Sequence, residues 1–324
     1  MSDIYIPPEH LRFRLLGYVS QNVLFSRTSQ EPQVGHCPVG QERDDQYFTL
    51  IHGTGKRSGL YALKSPATDK VLFSRTNAEP CVWHISGNGR WDDSWFKLEP
   101  GKGQYSKQFR LYSPFSDTVV FSRTEWPYIG NISAADVYAD QYFSFVFEDM
   151  SVDRIEYDFQ LGTVVSSASQ ILATQVIDNE LDVEHETRFE LSETVTHTST
   201  FYHASGLPPT DIMSVQGGVP VINDGDIRLD DSAQERTLNE SSTFHKTYTA
   251  SFTVTIGPHS TTRVVWSINK GIIEVPYTVY LSSRRAGVKA ETKGIWRGAS
   301  TWDLRHTSTM SVFNEPSLSN GRSA

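Results

Sequence analysis

Short apolar runs separated by turn-forming residues fill the first half of the chain. The apolar-rich runs 60–64 and 71–75, for example, flank residues 65–69, where Ser, Pro, Thr and Asp favour a turn. Short strands at regular spacing, with turn signals between them, are typical of an all-β barrel or sandwich. We therefore expect an all-β fold in this half of the chain.

One hexapeptide gives these strands a period. The sequence Val-Leu-Phe-Ser-Arg-Thr begins at Val23 and Val71, and a copy with Val in place of Leu begins at Val119, so the period is 48 residues. A fixed period of this length indicates a repeat architecture, whose units bury their apolar faces against one another. Because the third and last unit ends near Met150, we expect a closed β-trefoil over residues 1–150.

The second half of the chain has a different pattern. Polar and apolar residues alternate along residues 189–201 and 243–256, and the apolar-rich residues 266–280 are interrupted by Gly271 and Pro276. Strands are usually about five to six residues long, so runs of this length predict an elongated β-sheet module. We assign this module to residues 151–324.

The segment between the two alternating runs, residues 202–239, is rich in Gly and Pro and has thinly spread apolar side chains. One interpretation is a surface loop or hairpin. The other is a hairpin that detaches and refolds as a pair of transmembrane barrel strands, since such strands need only about 9–11 residues with alternating faces. The pattern alone leaves both interpretations open.

Composition narrows the classes of function. The net charge is −9 and no Lys/Arg cluster is present, whereas nucleic-acid-binding proteins usually show a basic face, so we expect no nucleic-acid partner. The two cysteines, Cys37 and Cys81, predict free thiols rather than a disulfide scaffold. No run approaches the length of a membrane helix, and the N-terminus lacks the features of a signal peptide. We expect a soluble protein that is stored in the cytoplasm or released without a signal peptide.

Each repeat also carries an aspartate at a loop-to-strand boundary, namely Asp45, Asp93 and Asp140. A loop carboxylate beside an aromatic ring suits sugar binding, because the carboxylate accepts hydroxyl hydrogens and the ring covers the sugar's apolar C–H face. Two residues before the aspartate stand Trp91 in repeat two and Tyr138 in repeat three, but Arg43 in repeat one. We infer that repeats two and three keep a sugar pocket and repeat one does not. The alternative is that these are ordinary exposed loop aromatics.

Two other side chains recur in every repeat. The hexapeptide arginines predict a structural ion pair with the aspartate of the same repeat, and sugar contact as a second role: Arg27, Arg75 and Arg123. The aromatic residue that follows each aspartate is expected to pack in the trefoil core, because large rings dominate buried area: Tyr47, Trp95 and Tyr142.

Seven short motifs, spread along the chain, occur in an order typical of one protein family. They are residues 3–8 (DIYIPP), 13–17 (FRLLG), 70–75 (KVLFSR), 95–101 (WFKLEPG), 147–151 (FEDMS), 246–250 (KTYTA) and 280–283 (YLSS). On these motifs the chain resembles the fungal haemolytic lectins of the Laetiporus sulphureus type, which are aerolysin-like pore-forming toxins. The resemblance implies a β-trefoil that binds β-galactosides such as lactose and N-acetyllactosamine. It also implies a C-terminal module that forms a homo-oligomer on the target-cell membrane, where each protomer donates a hairpin to a β-barrel pore.

The repeats and the resemblance together assign nine residues to two sugar sites. They are Arg75, His84, Trp91, Asp93 and Ser94 in repeat two, and Arg123, Tyr138, Asp140 and Gln141 in repeat three. Ser94 stands where the other repeats have Gln, and its hydroxyl can still hydrogen-bond a sugar.

The hairpin segment departs from the family pattern. Pro208 and Pro209 fall in its ascending half, followed by Thr210 and Asp211. A proline cannot donate to a strand ladder, so two adjacent prolines do not fit inside a barrel strand. Either the inserting stretch begins after Pro209, or insertion has been lost. In the second case the protein is a non-lytic agglutinin or a storage or defence lectin.

No motif nominates a catalytic or metal site. Residues 53–56 are not a phosphate loop, since Arg57 follows the lysine where Ser or Thr is required, and the ten histidines are scattered. We therefore expect no enzymatic activity, no cofactor and no metal. A glycan-directed enzyme with a trefoil binding module is the alternative from another class.

Overall fold

The structure is a computed structural model that describes residues 4–209, 213–230, 234–238 and 240–312. Within these residues the regular structure consists of β-strands and six short 3₁₀ turns, which confirms the predicted all-β class. The chain divides into two compact units. The first holds the described residues up to Asp153 together with Ser205–Pro208 and Tyr280–Thr292, and the second holds the other described residues.

The three repeats of the first unit contribute four strands each. These are β1 (Phe13–Gly17), β2 (Asn22–Ser26), β3 (Val34–Pro38), β4 (Thr49–His52), β5 (Tyr61–Ser65), β6 (Lys70–Ser74), β7 (Val82–Ile85), β8 (Lys97–Pro100), β9 (Phe109–Ser113), β10 (Thr118–Ser122), β11 (Ile129–Ser133) and β12 (Tyr142–Phe147).

Six of these strands close into a ring. β1 pairs with β12, β12 with β9, and β9 with β8, all antiparallel. A bridge from Phe96, just before β8, to Tyr61 reaches β5, which pairs with β4, and a bridge from Phe48 to Phe13 returns to β1. The remaining strands form one hairpin per repeat, namely β2–β3, β6–β7 and β10–β11. A six-stranded barrel with three hairpins is a β-trefoil, as the repeats predict.

The barrel core is aromatic. Phe48, Phe96 and Phe143 occupy the same position in the three repeats and are fully buried in one cluster with other barrel residues. The residues before them, Tyr47, Trp95 and Tyr142, are buried as predicted, but they are not members of this cluster. The centre of the core is therefore formed by the residue that follows each predicted one.

The second half of the chain forms both long strands and a group of short ones. They are β13 (Met150–Tyr157), β14 (Thr163–Asn179), β15 (His185–Gly206), β16 (Ser214–Gly217), β17 (Pro220–Asn223), β18 (Asp226–Leu229), β19 (Gln234–Thr237), β20 (Ser241–Ile256), β21 (Ser260–Ser283) and β22 (Lys289–Val312). The long strands pair in the order β13-β21-β22-β15-β20, and β14 also pairs with β21. Their length confirms the predicted elongated sheet.

The interruption predicted at Gly271 and Pro276 is wrong, because β21 runs through both residues. A Cβ on Gly271 would lie 2.5 Å from the carbonyl oxygen of Ser166 in β14, so the missing side chain lets the two strands approach. The carbonyl oxygen of Pro276 accepts a hydrogen bond from the Asp158 N–H at 2.9 Å, so this proline keeps a backbone partner.

The segment between β15 and β20 is a hairpin. β16 pairs with β19 and β17 pairs with β18, both antiparallel. The tip is a two-residue turn at Asp224 and Gly225, whose φ angles of 51° and 87° fit the type I′ turn that matches strand twist. Val215, Val219 and Ile222 are buried, and the Ile222 N–H donates to Ser300 Oγ at 2.8 Å. In this structure the hairpin therefore packs against β22.

The two prolines lie before the paired part of the hairpin. Leu207 is fully buried, and its N–H donates to the carbonyl oxygen of Glu291 at 2.8 Å. The ladder between β16 and β19 begins at Ser214, after Pro208 and Pro209. Thr210 and Asp211, which belong to the same prediction, lie outside the described residues.

Candidate functional site

Each repeat places its aspartate on a 3₁₀ turn that contacts the hexapeptide strand. The turns are Asp44–Gln46 on β2, Asp92–Ser94 on β6, and Ala139–Gln141 on β10. Asp45, Asp93 and Asp140 are half-buried there rather than open to water. The predicted arginines follow those same strands, so the fold brings the two repeated charges of each repeat to one edge of the trefoil.

Repeat three contains the predicted ion pair. Arg123 Nη2 lies 3.0 Å from Asp140 Oδ2, and both side chains are largely buried. The other carboxylate oxygen, Asp140 Oδ1, and the Arg123 Nε are buried without a hydrogen-bond partner. Asp45 Oδ1 in repeat one and the Arg75 Nε in repeat two are buried without a partner as well, so these unpartnered atoms recur among the repeats.

The three arginines share a different contact. Each guanidinium lies over the phenylalanine ring of its own hexapeptide, at 3.7 Å for Arg27, 4.2 Å for Arg75 and 3.6 Å for Arg123. In the described residues the Arg–Asp ion pair forms only in repeat three. The ion-pair prediction is thus confirmed for one repeat, and cation–π stacking is what the repeats have in common.

Exposed aromatic side chains border the sites of repeats two and three. Trp91 and Tyr138 stand immediately before the 3₁₀ turns and are 48% and 52% exposed, where repeat one has Arg43. In repeat three Trp126 is 82% exposed and lies edge-on to Tyr128 with ring centroids 6.0 Å apart. Exposed rings of this size are unusual on a surface without a partner.

The sequence contains a signal for this loop that residue-type reasoning missed. In repeats one and two, Glu31 and Glu79 stand at the place of Trp126, and each carboxylate accepts a backbone N–H two residues later. Repeat three replaces this structural carboxylate with an exposed ring. Aligning the repeats on Pro32, Pro80 and Pro127, with one residue fewer in repeat three, reveals the exchange.

His84 lies inside the trefoil. Its Nδ1 is 2.7 Å from Ser26 Oγ of repeat one, while His36 Nδ1 is 2.8 Å from Ser122 Oγ and Asn131 Nδ2 donates to Ser74 Oγ at 2.8 Å. Each repeat thus bonds to the hexapeptide serine of the repeat before it. We call these three contacts the serine lock. Burial, with the Lys70 ammonium nearby, lowers the pKa of His84 to about 4, and burial also lowers the pKa of His36.

Ser94 and Gln141 are fully buried as well. Gln141 Oε1 accepts from Arg110 Nη1 at 3.3 Å, and its Nε2 donates to the Asp136 carbonyl at 3.0 Å. In repeat two the corresponding carbonyl, of Gly89, accepts instead from the Trp95 indole N–H at 2.7 Å. These side chains hold the loop in shape, so the surface of each site is left to the arginine, the aspartate and the exposed ring.

The described part of the chain shows no group of three or more His, Cys, Asp or Glu side chains that could hold a metal ion. Within the same residues, no helix is both long and apolar enough to cross a membrane.

Residues 144–320 match the family described as Clostridium epsilon toxin ETX/Bacillus mosquitocidal toxin MTX2. The chain belongs to this toxin family. The match spans the long-strand module and its hairpin, which confirms the predicted kinship with aerolysin-like toxins.

Several solved structures are similar to this toxin or to a part of it. The structure titled BEL beta-trefoil is 44% identical over 44% of this chain and 96% of that chain, with a TM-score of 0.42. Lamprey immune protein is 15% identical over 95% of this chain and 97% of that chain, with a TM-score of 0.40. Parasporin-2, a Bacillus thuringiensis toxin, is 14% identical over 62% of this chain and 87% of that chain, with a TM-score of 0.33. A search of curated proteins gave no match.

Proposed function

We propose that this protein is a galactoside-binding lectin that docks on cell-surface glycans and oligomerises into a β-barrel membrane pore. The observation that carries the proposal is the joining, in one chain, of a trefoil with half-buried carboxylates beside exposed rings to a toxin-family module with a hairpin. The trefoil finds the cell, and the module acts on its membrane.

The site of repeat three has the chemistry for a sugar. Arg123 is held over Phe121 and fixes Asp140, whose carboxylate is the proposed acceptor of a hydroxyl hydrogen. The exposed Tyr138 ring offers a face for the apolar C–H side of a galactoside such as lactose or N-acetyllactosamine.

Repeat two offers the same set in Arg75, Asp93 and Trp91. The buried predicted residues His84, Ser94 and Gln141 support the loops around the two sites. Repeat one has Arg43 in place of the ring, so it lacks the aromatic face that would cover a sugar. Two weak sites per chain, multiplied in a homo-oligomer on the membrane, raise avidity because the second binding event becomes local.

The hairpin has a face that suits lipid. In the observed register Pro220 lies opposite Leu229 and Ile222 opposite Ile227, so these four apolar residues share one face next to the tip. Val221 lies opposite Arg228 on the other face, which would turn to the water-filled lumen. Because pairing starts after Pro209, the inserting stretch need not include the two adjacent prolines.

The sugar sites are tested by combining Asp93→Ala with Asp140→Ala and measuring retention on a galactose resin. We expect binding to be abolished, since both hydroxyl acceptors are removed. Asp45→Ala is the matched control, because it changes the corresponding carboxylate in the repeat without an exposed ring, and it should bind normally. Full retention by the double variant would place the sites elsewhere.

A second candidate is a non-lytic agglutinin. It is favoured by the backbone of the hairpin, where Gly218 and Val219 separate β16 from β17 and Pro220, which has no N–H, begins β17. A strand inside a closed barrel needs every backbone group paired. Clumping of erythrocytes without release of haemoglobin would support this candidate.

A further inference from the structure

The three repeats form three related clefts, each beside the aromatic residue that follows the repeated aspartate. A flat side chain covers each of these rings. Arg285 lies 5.2 Å from the Tyr47 ring centroid, Arg57 lies 5.0 Å from that of Trp95, and Tyr105 stacks on Tyr142 at 4.1 Å. Arg57 and Tyr105 occupy the same repeat position, 48 residues apart. The cleft continues from this ring toward the first turn of the next repeat.

Two of the clefts are already occupied or lack a ring surface. In the cleft beside Tyr142, Tyr18 packs edge-on against Tyr105 with centroids 5.2 Å apart. In the cleft beside Tyr47, Arg285 reaches Glu42 and Asp44 at 2.6 and 3.0 Å. The cavity there, about 550 Å³, is lined by charged and aliphatic side chains with Ala286 at its edge, and no aromatic residue lines it.

The cleft beside Trp95 is open and has an aromatic wall. Its volume is about 650 Å³, and Leu60, Pro114 and Phe115 form its apolar lining. Phe115 is 60% exposed, on the turn between β9 and β10. The same turn position holds Val19 in repeat one and Ala67 in repeat two, so the exposed ring is specific to this cleft.

A fixed carboxylate faces the same cleft. Arg57 Nη2 donates to Asp92 Oδ1 at 2.7 Å, and the guanidinium also donates to the carbonyl oxygens of Gly89 and Arg90. These bonds hold Asp92 in place and engage three of the five guanidinium N–H donors. The Asp92 side chain is nevertheless mostly exposed, which leaves its Oδ2 accessible as an acceptor. Lys56 adds a flexible donor to the lining.

We propose that this cleft, bounded by Phe115, Asp92 and Lys56, is a further saccharide-binding site that takes a neutral pyranose. The Phe115 ring covers the sugar's C–H face, Asp92 accepts hydroxyl hydrogens and Lys56 donates to a ring or hydroxyl oxygen. A neutral sugar fits both charges, because its hydroxyl groups can donate to Asp92 and accept from Lys56. The proposal shares with the proposed function only the class of ligand, since its residues are different ones.

The test is saturation-transfer NMR on the full chain carrying Asp93→Ala and Asp140→Ala, with methyl β-galactoside, methyl α-mannoside and N-acetylglucosamine as probes and N-acetylneuraminic acid as the acidic control. We expect at least one neutral probe to bind this background. Adding Phe115→Ala should weaken its binding about tenfold, the effect of losing one ring contact of about 1.4 kcal/mol. Adding Val19→Ala, the same turn position in repeat one, should leave it unchanged.

The outcomes separate this site from the sites of repeats two and three. If the background variant binds none of the neutral probes, or binds them equally with and without Phe115, the inference is overturned. If wild-type protein binds galactose and the background variant binds none of the neutral probes, the proposed lectin sites stand and this cleft is not a site. Preferential binding of N-acetylneuraminic acid would overturn the assignment of a neutral ligand. Unchanged circular dichroism of the variants confirms their folding.

Discussion

The repeated serine of the hexapeptide has a structural role that explains its presence in all three copies. Ser26, Ser74 and Ser122 are fully buried, and each bonds to a polar side chain from the next repeat. A buried hydroxyl must find a partner, so three mutual bonds fix the repeats against each other around the pseudo-threefold axis. The serine lock therefore holds the three repeats of the trefoil together through polar contacts.

The serine lock makes the trefoil sensitive to acid. The pKa of His84 is about 4 in the folded protein and about 6.5 when unfolded, so below pH 6.5 the unfolded chain binds more protons. Folding stability is therefore complete above pH 6.5 and falls as the pH drops toward 4, by up to about 3 kcal/mol from this residue. His36, whose pKa is also lowered, acts in the same direction.

His84→Asn tests this contribution. Asparagine is the residue that repeat three uses at the same position, where Asn131 donates to Ser74, so the variant should keep the bond to Ser26. The free energy of unfolding, measured in urea between pH 7 and pH 4, should fall less steeply for the variant than for the wild type. Identical pH profiles would contradict a neutral, buried His84.

Only some of the site residues could be predicted from the sequence. The exposed loop aromatics and their neighbouring aspartates could be found by comparing the repeats. The aspartate recurs in each repeat, whereas the residue two positions before it changes. The burial of Ser94 and Gln141 could not, since a residue at the end of a 3₁₀ turn can point inward or outward. A hint exists in the aligned repeats: Arg14 and Arg110 accompany Gln46 and Gln141, whereas Ala62 accompanies Ser94 and the larger Trp95.

At the level of elements, the hairpin is the part of the toxin module that moves in the proposed function. It is held by buried apolar residues and by the bond from Ile222 to Ser300. Its two ladders are short and are separated by glycines. Short ladders open at low cost, so the hairpin is a suitable segment to leave the sheet during insertion.

A cross-link should trap it. Ile222→Cys combined with Ser300→Cys places two thiols where the backbone and side chain already touch, so oxidation should join the hairpin to β22. We expect the oxidised protein to bind galactose resin but not to permeabilise galactoside-bearing vesicles, with release restored by a reductant. The single Ile222→Cys variant controls for the substitution itself. Unimpaired release from the oxidised, cross-linked protein would show that the hairpin does not need to move.

Long strands were predictable where polar and apolar residues alternate, as in β15 and β20. β14 was missed, because its first nine residues, Thr163 to Ile171, are all exposed and show no alternation. The break in β21 was predicted wrongly, because glycine and proline were read as local signals. Gly271 is instead required by the close approach of Ser166, a contact between residues far apart in the chain.

At the scale of the whole molecule, the proposed function combines glycan recognition and membrane attack in one chain. The repeat period alone leads to the closed trefoil, since three equal units leave few other ways to bury their apolar faces. The module's role is harder to read from physics, because barrel strands carry a weak sequence signal. Membership of the toxin family supplies what the strand pattern does not.

The most direct test of the account is haemoglobin release from erythrocytes incubated with the protein, with and without lactose. The account predicts lysis that rises with protein concentration, is blocked by lactose and is lost when Asp93 and Asp140 are both changed to alanine. Lysis that lactose does not reduce would show that sugar binding by the trefoil is not needed for the membrane step. Clumping of the cells without lysis would contradict the pore and leave an agglutinin.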